Sequence, residues 1–247
     1  MTKQGGISLI EIVISLFTAT LVMTLIMQHY LQAKRQYIRM QSLLEQTIEV
    51  QMVSDMIRGS VRRGGFTPCR GLSSLQSIDR RNGKTGLLPV ESGSEKEKSL
   101  TINRMNEHFG TVIRQLNPKQ LLVKANIQYE KQQSILIADC YSAEVQVILE
   151  AKKTLTGAIL TLKNTLKFSY KTPVYIGEWI EEKFFIQKNK QGLSSLFYKG
   201  NHVDELSNLV NSLSVELKSS QGKTLVEVGL GSEFLPTTTI VTEVRAG

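Results

Sequence analysis

The stretch GGISLIEIVISLFTATLVMTLIMQ, Gly5 to Gln28, decides how this chain is read. Its apolar run from Ile7 to Met27 is about 21 residues long, and at a helical rise of about 1.5 Å per residue it spans ~30 Å, the thickness of a bilayer's hydrocarbon core. The one charge inside the run is Glu11. A carboxylate there costs roughly 2.5–3.5 kcal/mol even on the lenient insertion scale, so a plain anchor has no use for it and a partner is expected.

A short leader carrying Lys3, a glycine at Gly6, an apolar helix with Leu9 and Ile10, and a glutamate at Glu11 together resemble the N-terminus of type IV prepilins and type II secretion pseudopilins. The resemblance implies cleavage by a prepilin peptidase between Gly6 and Ile7 and N-methylation of Ile7, which stands where most members carry phenylalanine. It also implies that Glu11 serves subunit assembly. Electrostatics gives a separate reason for that position. In the first turns of the helix the backbone N–H groups favour negative charge, and a neighbouring subunit's terminal amine would neutralise the carboxylate as helices stack. The competing reading is an ordinary signal peptide or signal anchor. Against it stand a leader with one charge, a length short for a secretory n-region, and an apolar run that no small-x-small site closes.

With 247 residues and 41% apolar content, the chain has room for one elongated element and a globular domain of about 180 residues. The net charge of +8, from 30 basic and 22 acidic residues, is compatible with nucleic acid, anionic lipid or a solvated surface, and its even spread favours the last. Lys34, Arg35 and Arg39 follow the apolar run while Lys3 alone precedes it, and this count of basic residues places the C-terminal part in the cytoplasm. The leader motif implies the reverse, a single-pass inner-membrane protein with a periplasmic globular domain that becomes extracellular in an assembled pilus. In an exported domain the only two cysteines, Cys69 and Cys140, are then expected to form a disulfide.

The helical pattern continues past Met27 with no glycine before Gly59 and no proline before Pro68. Leu44, Ile48, Met52 and Met56 recur every four residues, and Val53, Ile57 and Val61 form an adjacent stripe. This predicts one helix from Ile7 to about Arg63, roughly 85 Å long, whose second half packs on a sheet. Gly59 is its interior weak point, and Gly64-Gly65 supplies a left-handed cap. The expected divisions are a leader over 1–6, a membrane and assembly half over 7–28, an amphipathic half over 29–65 and a β-rich domain over 66–247. Phe66 to Ser99 reads as a long connection. Strands are expected at 100–102, 111–113, 121–123, 134–138 and 144–149, as in an antiparallel meander, and again at 155–162, 166–170, 174–187 and 193–198. Residues 204–210 read as a short helix or edge turn, 214–218 with 225–230 as a hairpin, and 237–244 as a closing strand. The fold class is α+β and pilin-like, with a long N-terminal helix packed on an antiparallel sheet domain.

A narrower resemblance is to PilW-type minor pilins. It is carried by Asp55-Met56-Ile57-Arg58 followed by Gly65-Phe66-Thr67-Pro68-Cys69, and by Ile135 to Ala143 with its Asp139-Cys140 pair. Leu196-Phe197-Tyr198 and Glu205-Leu206-Ser207-Asn208-Leu209-Val210 extend it, while Lys152 to Pro173 is unmatched. It implies a structural subunit that initiates or enters a type IV pilus. Its implied partners are major and minor pilin subunits, the prepilin peptidase, an inner-membrane assembly platform and membrane lipid.

Enzyme signatures are missing: there is no H-E-x-x-H, G-x-S-x-G, P-loop or Rossmann glycine cluster, so no catalytic residue, cofactor or metal is expected. His29 reads as interfacial, and His108 and His202 as loop or surface residues. Glu181-Glu182 reads as a solvated turn or edge, because neighbours on a strand point to opposite faces. Three other readings stay open. The first is a type II secretion pseudopilin at a tip, and the second an anchored receptor. The third is a DNA-binding pilus subunit, motivated by Arg62, Arg63, Arg70, Arg80, Arg81 and Lys84.

Overall fold

The computed structural model describes residues 8–94, 98–124, 127–220, 223–233 and 236–244. The chain falls into two compact units that meet within one helix, the first ending at Glu49 and the second beginning at Val50.

Helix α1 spans Leu9–Arg63. In the first unit its side chains are exposed on every face from Leu9 to Glu45. In the second unit Val50, Val53, Ile57 and Val61 are buried, and Ser54 turns its hydroxyl back onto the Val50 carbonyl at 2.8 Å. The helix runs unbroken through Gly59 because Ile57 and Val61 are anchored in the core on either side. It stops at Gly65, whose φ of 71° is the left-handed cap the glycine pair predicted. A Cβ on Gly65 would also lie 2.6 Å from Pro89, so two constraints select glycine there.

The large sheet contains β1 (Gln76–Asp79), β2 (Val90–Ser92), β3 (Ser99–Asn117), β4 (Gln120–Lys124), β5 (Ser134–Ala138), β6 (Ser142–Thr154), β7 (Gly157–Leu162), β8 (Tyr175–Lys188), β9 (Ser194–Lys199) and β10 (Val203–Ser207). Its pairing is no simple meander. β3 is one strand where two short ones were expected, and it pairs with β8 over residues 99–111 and with β4 over 112–117. β6 likewise leaves β5 for β7 after residue 147. Two long strands that change partners close β3, β8, β5, β6, β7 and β4 into a circuit, since β8 pairs back to β3. A separate three-stranded sheet is formed by β11 (Ser212–Ser220), β12 (Lys223–Gly231) and β13 (Thr238–Glu243).

Three apolar clusters hold the second unit. Ile135, Ile137, Ile148, Leu160 and Leu162 fill the circuit. Val53, Ile57 and Val61 of α1 share a second cluster with Leu100, Phe184, Leu196 and, from the small sheet, Val226 and Ile240. Leu72, Leu75 and Leu87 cover Met105, Leu136 and Trp179 in the third. The segment SILIA is apolar throughout because β5 is buried on both faces, Ile135 and Ile137 toward the circuit and Leu136 toward the third cluster.

Several expectations are corrected. The stretch from Phe66 to Ser99 is no loose connection: it carries β1, β2 and a 3-10 turn at Leu72–Ser74, and its leucines roof the sheet. β1 pairs in parallel with β6, a pairing local patterns do not announce. Residues 204–210 form β10 and its exit, and 166–170 lie outside any strand. The stripe Leu44, Ile48 and Met52 is exposed, at 58%, 52% and 69%, and only Met56 of that row packs on the core.

Candidate functional site

Lys3, Gly6 and Ile7, the expected leader charge and the cleavage and methylation positions, lie outside the described residues. Glu11 is in the first turn of α1, where its N–H donates to the Ser8 carbonyl at 2.9 Å. Among the described residues no cation pairs with its side chain, and its neighbours Leu9, Ile10, Ile12, Val13 and Ile14 are all exposed. α1 is the one described helix long and apolar enough to cross a membrane.

Apolar counting leaves the hydroxyls of this segment unexplained, and the structure accounts for them. Ser15 donates to the Glu11 carbonyl at 2.7 Å, Thr18 to Ile14 at 3.1 Å, Thr20 to Phe17 at 2.8 Å and Thr24 to Thr20 at 2.7 Å. Each is satisfied within its own helix, so in lipid it carries little of the penalty of an unpaired polar group. The Glu11 carboxylate, unlike these hydroxyls, accepts no hydrogen bond among the described residues, although it lies in the first turn where helix N–H groups are free.

Cys69 and Cys140 are joined, with Cα atoms 5.2 Å apart, tying the chain just beyond α1 to the turn between β5 and β6. Asp139, next to Cys140 in the Asp-Cys pair, organises that turn. Its buried carboxylate accepts the N–H groups of Tyr141 at 2.8 Å, Ser142 at 2.6 Å and Lys171 at 2.7 Å. Aspartate before the cysteine fits because a short carboxylate reaches the backbone two and three residues ahead.

Glu181 and Glu182 do point to opposite faces, yet they sit on β8 in mid-sheet instead of at a solvated edge. Each meets an arginine. Glu181 accepts Arg81 at 2.8 Å, and Arg81 also grips Asp79 at 2.7 Å. Burial pulls the Arg81 guanidinium down, but the two carboxylates outweigh it and hold its pKa above the ordinary range. Glu182 pairs with Arg104 at 3.0 Å, both nearly buried. Of the basic residues that motivated nucleic-acid binding, Arg81 is doubly paired, Lys84 binds both Glu91 oxygens at 2.7 Å, and Arg80 donates to the Thr165 carbonyl at 3.4 Å.

No family model, curated protein or solved structure matches the chain.

One buried acid is left. Glu144 faces into the strand circuit beside Ile135 and Ile137, and its Oε2 accepts the Lys167 N–H at 3.0 Å. Burial pushes its pKa up despite that bond and the neighbouring Arg80 charge. Tyr170 is raised by burial and by Glu144, and Tyr129 is pushed up to about 12 by burial. Glu144 and Tyr129 are buried and Tyr170 is partly buried against the same cluster. They belong to the core's polar interior.

Proposed function

We propose that the chain is a pilin-like assembly subunit, of the PilW-type minor pilin class, held by one inner-membrane span with its β-rich domain on the periplasmic side. Hydrolysis of the Gly6–Ile7 bond would free the Ile7 amine, which is then methylated, and Glu11 of one subunit would pair with the terminal amine of the next. The observation that carries this reading is the asymmetry of α1. Residues 9–28 are apolar, exposed on all faces and marked by a single carboxylate, while residues 50–63 complete the core of a disulfide-braced domain.

An anchor alone gains nothing from a carboxylate in lipid, whereas a stacking helix gains a register, because a misaligned neighbour leaves that charge buried and unpaired. The nucleic-acid reading is weaker, since Arg81 and Lys84 are already neutralised by carboxylates. A type II secretion pseudopilin shares the same plan and differs in its partners.

The test compares wild type, Gly6→Val and Glu11→Leu at equal expression. Gly6→Val should leave full-length precursor in the membrane. Glu11→Leu should insert at least as well as wild type yet recover fewer pilin subunits from detergent extracts. A native N-terminus at Met1, or equal partner recovery with Glu11→Leu, removes the proposal.

A further inference from the structure

The β6–β7 hairpin ends in a two-residue turn, Leu155-Thr156, closed by the Thr154–Gly157 pair. Such turns favour Asn-Gly or Gly at their tip, where positive φ matches the strand twist. Leu155 meets no such need: Gln132 is the only described non-glycine residue with positive φ, and the Leu155 side chain is fully exposed, at 107%. The hairpin beneath it is firmly seated, because a Cβ on Gly157 would lie 2.0 Å from the Val123 carbonyl oxygen of β4.

Charge around this tip has one sign. Lys124 lies opposite Gly157, and Lys152 and Lys153 lie opposite Ile159 and Ala158. All three lysines are exposed. Glu150 is the one acidic side chain on β4, on β7 and on β6 beyond Ile148, and its contact with Lys152, at 3.3 Å, is between two exposed groups. An apolar point ringed by lysines matches the interfacial zone of an anionic bilayer, where a leucine enters the acyl boundary and the ammonium groups meet phosphate.

We propose that the β6–β7 tip is a second, peripheral membrane contact, with Leu155 inserting at the surface of a bilayer that carries anionic phospholipid and Lys124, Lys152 and Lys153 binding its headgroups. The inference rests on the membrane-anchored reading above. Tethering by the anchor raises the effective concentration of the β-domain at that bilayer, so a contact too weak to recruit a free protein suffices.

The test uses full-length chain bearing Leu155→Trp, reconstituted into vesicles of phosphatidylcholine with or without phosphatidylglycerol, each with brominated acyl chains. Trp179, the only native tryptophan, is buried and gives a constant background. With phosphatidylglycerol the residue-155 signal should fall by about twofold and shift to the blue. Adding Lys124→Glu and Lys153→Glu should abolish this, each lysine removed weakening the contact by about fivefold. A chain that fails to float with vesicles overturns the anchor itself. One that floats while residue 155 stays solvent-like and unquenched overturns the tip contact and leaves the anchor standing. Quenching that is equal in pure phosphatidylcholine, or a spectral shift given by duplex DNA and not by lipid, also overturns it.

Discussion

Ile48 and Ile57 lie on the same helix and in similar patterns, yet one is 52% exposed and the other fully buried. The first belongs to the unit that ends at Glu49, the second to the unit that begins at Val50. Helical periodicity shows that a face is apolar. What covers the face is a separate matter, and here the residues from Val50 on are covered by the chain's own sheets while those from Leu9 to Glu45 are exposed.

The sharpest way to break the comparison is to unfold one half and watch the other. Replacing both Cys69 and Cys140 with serine opens a link across a sequence separation of 71, worth roughly 4 kcal/mol in chain entropy. Denaturant unfolding of the β-domain should shift accordingly, while the detergent-held helical circular dichroism of the first half persists. If both signals are lost together, the halves are not independent. Next, Ile57→Ala should cost about 3 kcal/mol by leaving a cavity among Val53, Leu100 and Phe184.

A third prediction acts inside the β-domain and with the opposite sign. Burial raises the folded-state pKa of Glu144 above its unfolded value, so the folded chain holds that proton more tightly. The charged form therefore costs stability, a cost absent below the unfolded pKa that grows as pH rises through the folded one. Glu144→Gln, which keeps an acceptor for the Lys167 N–H, should stabilise on the order of 1 kcal/mol at neutral pH. The gain should vanish in thermal melts taken in acid. The smallest effect sharpens the comparison most: Ile48→Ser should change β-domain stability by less than about 0.5 kcal/mol. Under the assembly proposal it should nonetheless lower recovery of partner subunits, and a large loss of stability instead would mean that the first half also has a covered face.

Much of this was legible beforehand because the signals are local. The length of α1, its end at the glycine pair and most strand positions follow from periods of 3.6 and 2 and from φ > 0 at Gly65. The cysteine pair was legible too, since two cysteines allow one intramolecular bond. The order of Phe66 to Ser99 is not legible from local pattern, because its roofing leucines Leu72, Leu75 and Leu87 are spaced by turns and follow neither period. The role of Asp139 is not legible from sequence because one of its three N–H donors is Lys171, far along the chain.

By itself, then, the sequence determined a long helix with a lone carboxylate in an apolar run, a β-rich remainder and a paired cysteine set, all properties of neighbouring residues. Only the tertiary structure decided which helical stripe is buried, that β3 and β6 change partners to close a six-strand circuit, and that Glu181 and Glu182 each face an arginine. Those depend on contacts between residues far apart in the chain, where packing and charge pairing select among arrangements that local propensity leaves equal.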